Sequence, residues 1–357
     1  MCLVCQSKKS RVNYTVTELI CCPKVTSIPR QFTQLTRLEC QNCPLLTHIS
    51  KKFTQLTELD CSGCPLLFKI PKTFTRLTQL YCYGCSLITK IPSEFRQLNR
   101  LYCSSCPLIT EIPKEFTNLT ILECSNCPLI TEIPKELTQL IRLSFSKCSI
   151  RDIPREFTQL IILRCSACPK LTSIPCEFTN LTILDCNNCP LLNSIPREFI
   201  KLTELYCSTC PLIKEIPREF IELTYLDCSK CPLIVEIPGD FMHLINLWCQ
   251  NCSLLSSISK KLIKIIYLDC HDCDILMEIP KKFQYVYKKY LSSPFLSFSD
   301  RIKFTFMYVK KRYLEEEIRY NLETCHNESY YAPDGLGAQK LFEKYRDGLV
   351  FATQMEF

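Results

Sequence analysis

The stretch Leu56-Thr-Glu-Leu-Asp-Cys-Ser-Gly-Cys-Pro-Leu-Leu-Phe-Lys-Ile-Pro71 decides how this chain folds. Its pattern returns along the sequence, with the leucine of its fourth position at 19, 38, 59, 80, 101, 122, 143, 163, 184, 205, 226, 247 and 268. That makes thirteen units at a period of 21 residues, interrupted by one step of 19 and one of 20. Inside a unit, Leu59 and Cys61 alternate with Glu58, Asp60 and Ser62. A period of two marks a strand buried on one side. Ile70-Pro71 then ends the pairing, because proline fixes φ and has no N–H to donate. The next segment, as in Lys114-Glu-Phe-Thr-Asn-Leu119, is too short for an ordinary helix. It reads as one tight turn that aims Phe116 inward. No unit of this size buries its apolar side chains alone, so neighbouring units must stack. Thirteen strands about 4.8 Å apart span about 58 Å.

The pattern LxxLxCxxCPLLTxIPxxF resembles the leucine-rich repeat, LxxLxLxxN/CxL, with cysteine at the sixth and ninth positions. It is similar to the variant that reads LSxCxxLxxLP. Repeats rich in CxxC and IPxxF also resemble those encoded by large DNA viruses of amoebae (mimivirus-like). The resemblance implies an α/β-type solenoid, a superhelix with one parallel sheet on its inner face and short turns on its outer face. It also implies a protein that binds another protein. Three segments are expected: an N-terminal cap over 1–15, thirteen repeats over 16–280, and a helical C-terminal cap over 281–357. In the last, Ser299 would cap a helix running to Glu323, and a second helix would run from Ala338 to Asp347.

Composition narrows the compartment. Cysteine accounts for 29 of 357 residues, yet Met1 to Ser10 has no apolar core of a secretory signal. No apolar run reaches the roughly 18–20 residues of a membrane helix. The reading is therefore a cytoplasmic protein (host cytoplasm if viral), with reduced thiols and no membrane association. Six glycines argue against Gly-rich nucleotide loops, and a net charge of +7 is too modest to indicate nucleic acid.

Eleven units carry a full CxxC, beginning with Cys40/Cys43, Cys61/Cys64, Cys82/Cys85 and Cys103/Cys106. Such pairs are candidate zinc or iron–sulfur ligands, since two neighbouring units bring four sulfurs together. Packing is favoured instead. Thiols behave as small hydrophobes, and Phe145 takes the sixth position in one unit, where it can fill an apolar slot but not bind metal. No cofactor is expected. Cys176 stands where other units have Lys or Arg, and should be the exposed thiol. Cys2 and Cys5 form a further candidate pair.

The third, fifth and seventh positions should form the inner face. There the full units carry eight acids (Glu39, Glu58, Asp60, Glu123, Asp185, Glu204, Asp227 and Asp269) and four arginines (37, 100, 142 and 164), a net −4. Residues 281–357 carry +3. Aromatics share the face in two clusters: Tyr81, Tyr83 and Tyr102, then Tyr206, Tyr225, Trp248 and Tyr267. Exposed Tyr and Trp on a rigid face are the residue types of protein–protein hot spots, and the acids beside them disfavour a phosphate backbone. The expected partner is a basic protein segment, bound by a monomer.

No catalytic constellation is found, and an enzyme is not expected. The four histidines, His48, His243, His271 and His326, have no nucleophile and orienting carboxylate arranged around them. Two alternatives remain at this point. One is a metal- or redox-active thiol store built on the CxxC ladder. The other is an adaptor that recruits substrates to a host ubiquitin ligase.

Overall fold

The computed structural model describes residues 3–6 and 14–280. Cys2 and the helices expected after residue 281 lie outside the described residues. A short helix, α1 (Leu3–Gln6), comes first. Fifteen strands follow: β1 (Glu18–Ile20), β2 (Arg37–Glu39), β3 (Glu58–Asp60), β4 (Gln79–Tyr81), β5 (Arg100–Tyr102), β6 (Ile121–Glu123), β7 (Arg142–Ser144), β8 (Ile162–Arg164), β9 (Ile183–Asp185), β10 (Glu204–Tyr206), β11 (Tyr225–Asp227), β12 (Glu236–Ile237), β13 (Asn246–Trp248), β14 (Ser257–Ile258) and β15 (Tyr267–Asp269).

Thirteen of them form one parallel sheet in sequence order, and β12 and β14 form a second two-stranded ladder. The register keeps like with like: Leu38 pairs with Leu59, Leu59 with Leu80, Leu80 with Leu101. Each fourth-position leucine from Leu38 to Leu247 is fully buried. So are the cysteines of the sixth position from Cys40 to Cys249, with Phe145 buried among them. The expected columns are therefore present, and the substitution of phenylalanine in the cysteine column is a packing substitution.

The outer side is built from consecutive turns, more finely divided than the single turn read from the sequence. In one unit Leu67 N–H donates to the Cys64 carbonyl at 3.1 Å, Phe74 N–H to Pro71 at 3.3 Å, and Leu77 N–H to Phe74 at 3.0 Å. Pro65 follows Cys64 at the position where its fixed φ suits a turn. These turns drop Phe74 and its equivalents from Phe32 to Phe241 into the core at zero exposure. Truncating one such ring to alanine costs about 3–5 kcal/mol.

The corner after each strand needs a left-handed residue. The eighth position has positive φ throughout, from Asn42 at 53° to Gly84 at 68°. This geometry aims the N–H at the next unit: Asn126 N–H donates to Ser146 O at 2.7 Å, and Thr209 N–H to Ser229 O at 2.8 Å. Asparagine and glycine accept that φ easily, whereas a β-branched side chain is strained there. Exposed Thr209, at φ 58°, is the strained member. Thr209→Asn should raise stability by about 0.5–1 kcal/mol through relief of that strain. Urea unfolding checks it, and a loss of stability would mean the threonine makes a contact worth more than the strain.

Candidate functional site

The sheet face carries the residues picked out for partner binding, and the strands hold them at fixed spacing. Three ring pairs form between adjacent strands. Tyr81 stacks on Tyr102 with centroids 4.8 Å apart, Tyr206 on Tyr225 at 4.6 Å, and Trp248 meets Tyr267 at 4.4 Å. In each pair the rings come from neighbouring strands, β4/β5, β10/β11 and β13/β15. Two of these rings correct the expectation of exposure: Tyr81 is 4% exposed and Trp248 5%. Tyr102, Tyr206, Tyr225 and Tyr267 are half-buried, and Tyr83 is exposed. Tyr81 donates to Gln79 Oε1 at 2.7 Å, and burial followed by the neighbouring Tyr102 raises its phenol above the ordinary range. Tyr206 donates to Glu204 Oε2 at 2.9 Å.

The acids of this face hold the backbone as well as charge it. Asp60 Oδ1 accepts the Ser62 N–H at 2.9 Å, Asp185 that of Asn187 at 3.2 Å, Asp227 that of Ser229 at 3.1 Å, and Asp269 that of His271 at 3.3 Å. Each fifth-position aspartate so satisfies the seventh-position N–H of its own unit, the local bond that short acidic side chains favour. Four units without aspartate use a side chain from the preceding unit. Ser104 Oγ accepts Ser125 N–H, Ser125 Oγ accepts Ser146 N–H, Ser146 Oγ accepts Ser166 N–H, and Asn187 Oδ1 accepts Ser208 N–H, at 2.7–3.1 Å. This backbone role of the aspartates was not expected from the sequence. The signal available was that the seventh position is Ser, Asn or Gln in most units.

Charge on the face is partly self-paired. Arg37 lies 2.7 Å from Glu39 and 3.5 Å from Glu58, and Arg142 lies 2.8 Å from Glu123. Burial raises the Glu58 and Asp60 carboxyls above their ordinary values, against the pull of Arg37 on Glu58 and of the Ser62 bonds on Asp60.

Behind the face runs the cysteine column. The ninth-position thiol of each unit from Cys64 to Cys273 donates to the sixth-position carbonyl of the unit before it. Cys64 reaches Cys40 O at 3.0 Å, Cys106 reaches Cys82 O at 3.0 Å, Cys127 reaches Cys103 O at 3.2 Å, and Cys168 reaches Phe145 O at 3.4 Å. The last shows that the rule follows the carbonyl, whichever side chain that residue carries.

These bonds involve the eight disfavoured candidate metal ligands of the sequence, Cys40, Cys43, Cys61, Cys64, Cys82, Cys85, Cys103 and Cys106, the ninth-position members as donors. All eight are fully buried. The ninth-position members donate to backbone: Cys43 reaches Cys22 O at 3.3 Å and Cys85 reaches Cys61 O at 3.1 Å, as Cys64 and Cys106 reach theirs, while hydrogen bonding to Cys40 and Cys82 lowers the Cys64 and Cys106 thiols from the ordinary value. The sixth-position members are raised well above the ordinary thiol value, Cys40, Cys61 and Cys82 by the hydrogen bond with the ninth-position thiol of the next unit and then by burial, and Cys103 by burial first. Among the described residues, no three His, Cys, Asp or Glu side chains converge on a metal-sized site. The parallel register stacks the two columns along the sheet instead of folding neighbouring CxxC pairs around one point.

Cys176 lies outside the column and is exposed, with Sγ 3.7 Å from Glu177 Oε2. Slight desolvation and the carboxylates of Glu177 and Glu198 raise its thiol above the ordinary value. His271, in the last unit, is half exposed and 2.5 Å from Asp269 Oδ1.

Comparison with known proteins agrees with this geometry. The Leucine Rich Repeat family profile matches residues 55–77, 76–98, 97–119, 118–140, 180–202 and 222–244. The chain folds as a leucine-rich-repeat solenoid. Among solved structures it is similar to the functional domain of InlJ from Listeria monocytogenes, described as including a cysteine ladder. The identity is 29%, the TM-score 0.65, and the match covers 72% of this chain but only 58% of the Listeria chain. A leucine-rich-repeat protein of Leptospira interrogans matches at 20% identity and a TM-score of 0.50, over 78% of this chain and 95% of that one. No curated protein matches the sequence. No helix among the described residues of the solenoid is long and apolar enough to cross a membrane.

Two outcomes follow from the thiols. Burial pushes Cys127, Cys168 and Cys273 up to about 12, and Cys103 and Cys249 well above the ordinary range. In the unfolded chain a thiol ionises near pH 8.5. Above that pH these raised thiols keep protons that the unfolded chain has lost, so their contribution to stability is full below about pH 8.5 and falls as pH rises towards about 12. Circular dichroism under reductant should show reversible alkaline unfolding inside that window, and a fold unchanged at its upper end contradicts the burial of the column. Iodoacetamide on the native, reduced solenoid should label Cys176 and spare Cys186. Labelling in the opposite order means the register is wrong.

Proposed function

We propose that this solenoid is a protein-interaction scaffold without catalytic activity, and that its sheet face between β10 and β15 receives a basic segment of a partner protein. The observation that carries the reading is the pair of ring stacks, Tyr206/Tyr225 and Trp248/Tyr267, on neighbouring strands beside Glu204, Asp227 and Asp269. Stacked rings with a negative rim offer a flat surface for aliphatic stems and guanidinium planes, with carboxylates to meet their charge. The strands are already ordered, so little conformational freedom is lost on binding. Tyr81, Tyr83 and Tyr102, with Glu58 and Asp60 nearby, form a second such area, where Arg37 already occupies part of the charge.

The same reading takes the cytoplasm, or another reducing compartment, as the place of action. The column uses thiols as donors, and thiols stay reduced in such a compartment. No resident metal or cofactor enters the proposal.

Selection from a random peptide display library against the full chain tests the site. Enriched peptides should be rich in Lys and Arg, and their affinity should fall with added salt. Tyr206→Ala with Trp248→Ala should weaken the best peptide by about tenfold or more, equivalent to about 1.4 kcal/mol. Since Trp248 is nearly buried, Asp227→Asn serves as a second variant. It removes charge but keeps an acceptor for Ser229, and should weaken the same peptide without loss of fold. Peptides that are acidic or uncharged, or binding unmoved by either variant, overturn the assignment.

A further inference from the structure

One thiol of the ninth-position type stands at the start of the column. The first unit reads Leu19-Ile20-Cys21-Cys22-Pro23, so two residues of the usual CxxCP are missing and Cys22 takes the place before proline. In later units this thiol donates to a carbonyl one unit back, as Cys64 does to Cys40. β1 is the first strand of the sheet, and no strand precedes it among the described residues. The element lying against Cys22 is instead α1, whose Cys5 Sγ comes within 3.5 Å of Cys22 Sγ. Both side chains are half-buried, unlike the sealed thiols of the column. Val4, beside Cys5, is 1% exposed.

We infer that Cys5 and Cys22 are a disulfide-forming pair that fastens α1 to the first repeat under oxidising conditions. A low-molecular-weight disulfide such as oxidised glutathione supplies the oxidant. One cysteine thiolate attacks it to give a mixed disulfide and release one thiol. The second cysteine then displaces the other thiol and closes Cys5–S–S–Cys22. Two cysteine protons and two electrons leave with the two glutathione thiols, so the exchange balances. The column is spared, because buried protonated thiols neither attack nor reach the oxidant. Cys176 is accessible but faces no second thiol among the described residues, so it ends as a mixed disulfide. The inference is independent of what the sheet face binds.

Incubation of the full reduced chain with glutathione disulfide, followed by tryptic mapping without reductant, tests it. The segment Met1–Lys8 should be joined to Val12–Lys24, with a mass about 2 Da below the sum of the two peptides. Each peptide holds two cysteines, so single variants assign the bond. Cys2→Ser and Cys21→Ser should leave the joined peptide, whereas Cys5→Ser or Cys22→Ser should lower it by about tenfold or more. A joined peptide that survives Cys5→Ser or Cys22→Ser, or that vanishes in Cys2→Ser or Cys21→Ser, overturns the pairing. So does oxidation that stops at glutathione adducts on both Cys5 and Cys22. Circular dichroism of each variant shows that the repeats remain folded, so loss of the link cannot be mistaken for unfolding.

Discussion

A strand of only three residues leaves many polar groups that must find partners in the unit before or after, or in the bends and turns of their own unit, and this requirement shapes the array. Buried backbone groups without partners cost as much as a lost hydrogen bond. The strand itself settles the third to fifth positions. Beyond it, the Cys103 N–H goes to Glu123 O, the Asn126 N–H to Ser146 O, and the Cys103 carbonyl to the Cys127 thiol. On the other side of the strand, Thr57 and Thr78 hydroxyls donate to Thr36 O and Thr57 O at 3.0 and 2.9 Å. A thiol suits the ninth position because it is apolar enough to lie in the core, yet still carries one weak donor. Sulfur therefore does the work of packing and of hydrogen bonding at once, which is why cysteine recurs along the column without disulfides.

Much of this was legible in the sequence because the repeat supplies its own comparison. Leu59, Cys61, Cys64 and Phe74 belong to columns whose members never turn polar, and the structure buries all four. Phe145 breaks the cysteine column with an apolar ring and is fully buried, and its carbonyl accepts Cys168 as the cysteine carbonyls accept theirs. Cys176 broke a column of bases and is exposed. What the sequence withheld were partners rather than positions. Cys43 and Cys85 could be paired on paper with Cys40 and Cys82 as ligands, and only the stacking shows that each points its S–H at a carbonyl of the unit before. Asp185 and Asp227 read as outward charges, and the bonds they accept from residues two along depend on the left-handed corner. That corner is occupied by Asn, Ser, Lys, Ala, Thr and Asp as well as Gly, so no residue type announces it. Tyr81 and Trp248 read as exposed because alternation assigns a side, not a depth. Stacked on rings of the adjacent strand, they are largely shielded from solvent.

Function draws on the same rigidity. A face whose backbone is bonded on both sides can hold aromatic rings and carboxylates at one strand spacing without ordering cost, and leucine-rich-repeat folds serve generally as interaction scaffolds. Here the carboxylates do double duty. Asp227 and Asp269 secure the bend after their strands and supply negative charge beside the rings, so the groups that stabilise the fold also set the sign of the surface. Cysteine at the core ties this arrangement to redox conditions, since the donors exist only while the thiols stay reduced and protonated.

Ninth-position thiols donate hydrogen bonds to the carbonyls of the preceding unit, as Cys127 does to Cys103 O. Infrared or Raman spectroscopy of the S–H stretch measures that directly. The account predicts a dominant band displaced to lower wavenumber than a thiol in apolar solvent, and Cys127→Ala should remove intensity from the displaced band alone. A spectrum dominated by the undisplaced position would contradict it, and would leave the cysteine column as packing without bonds.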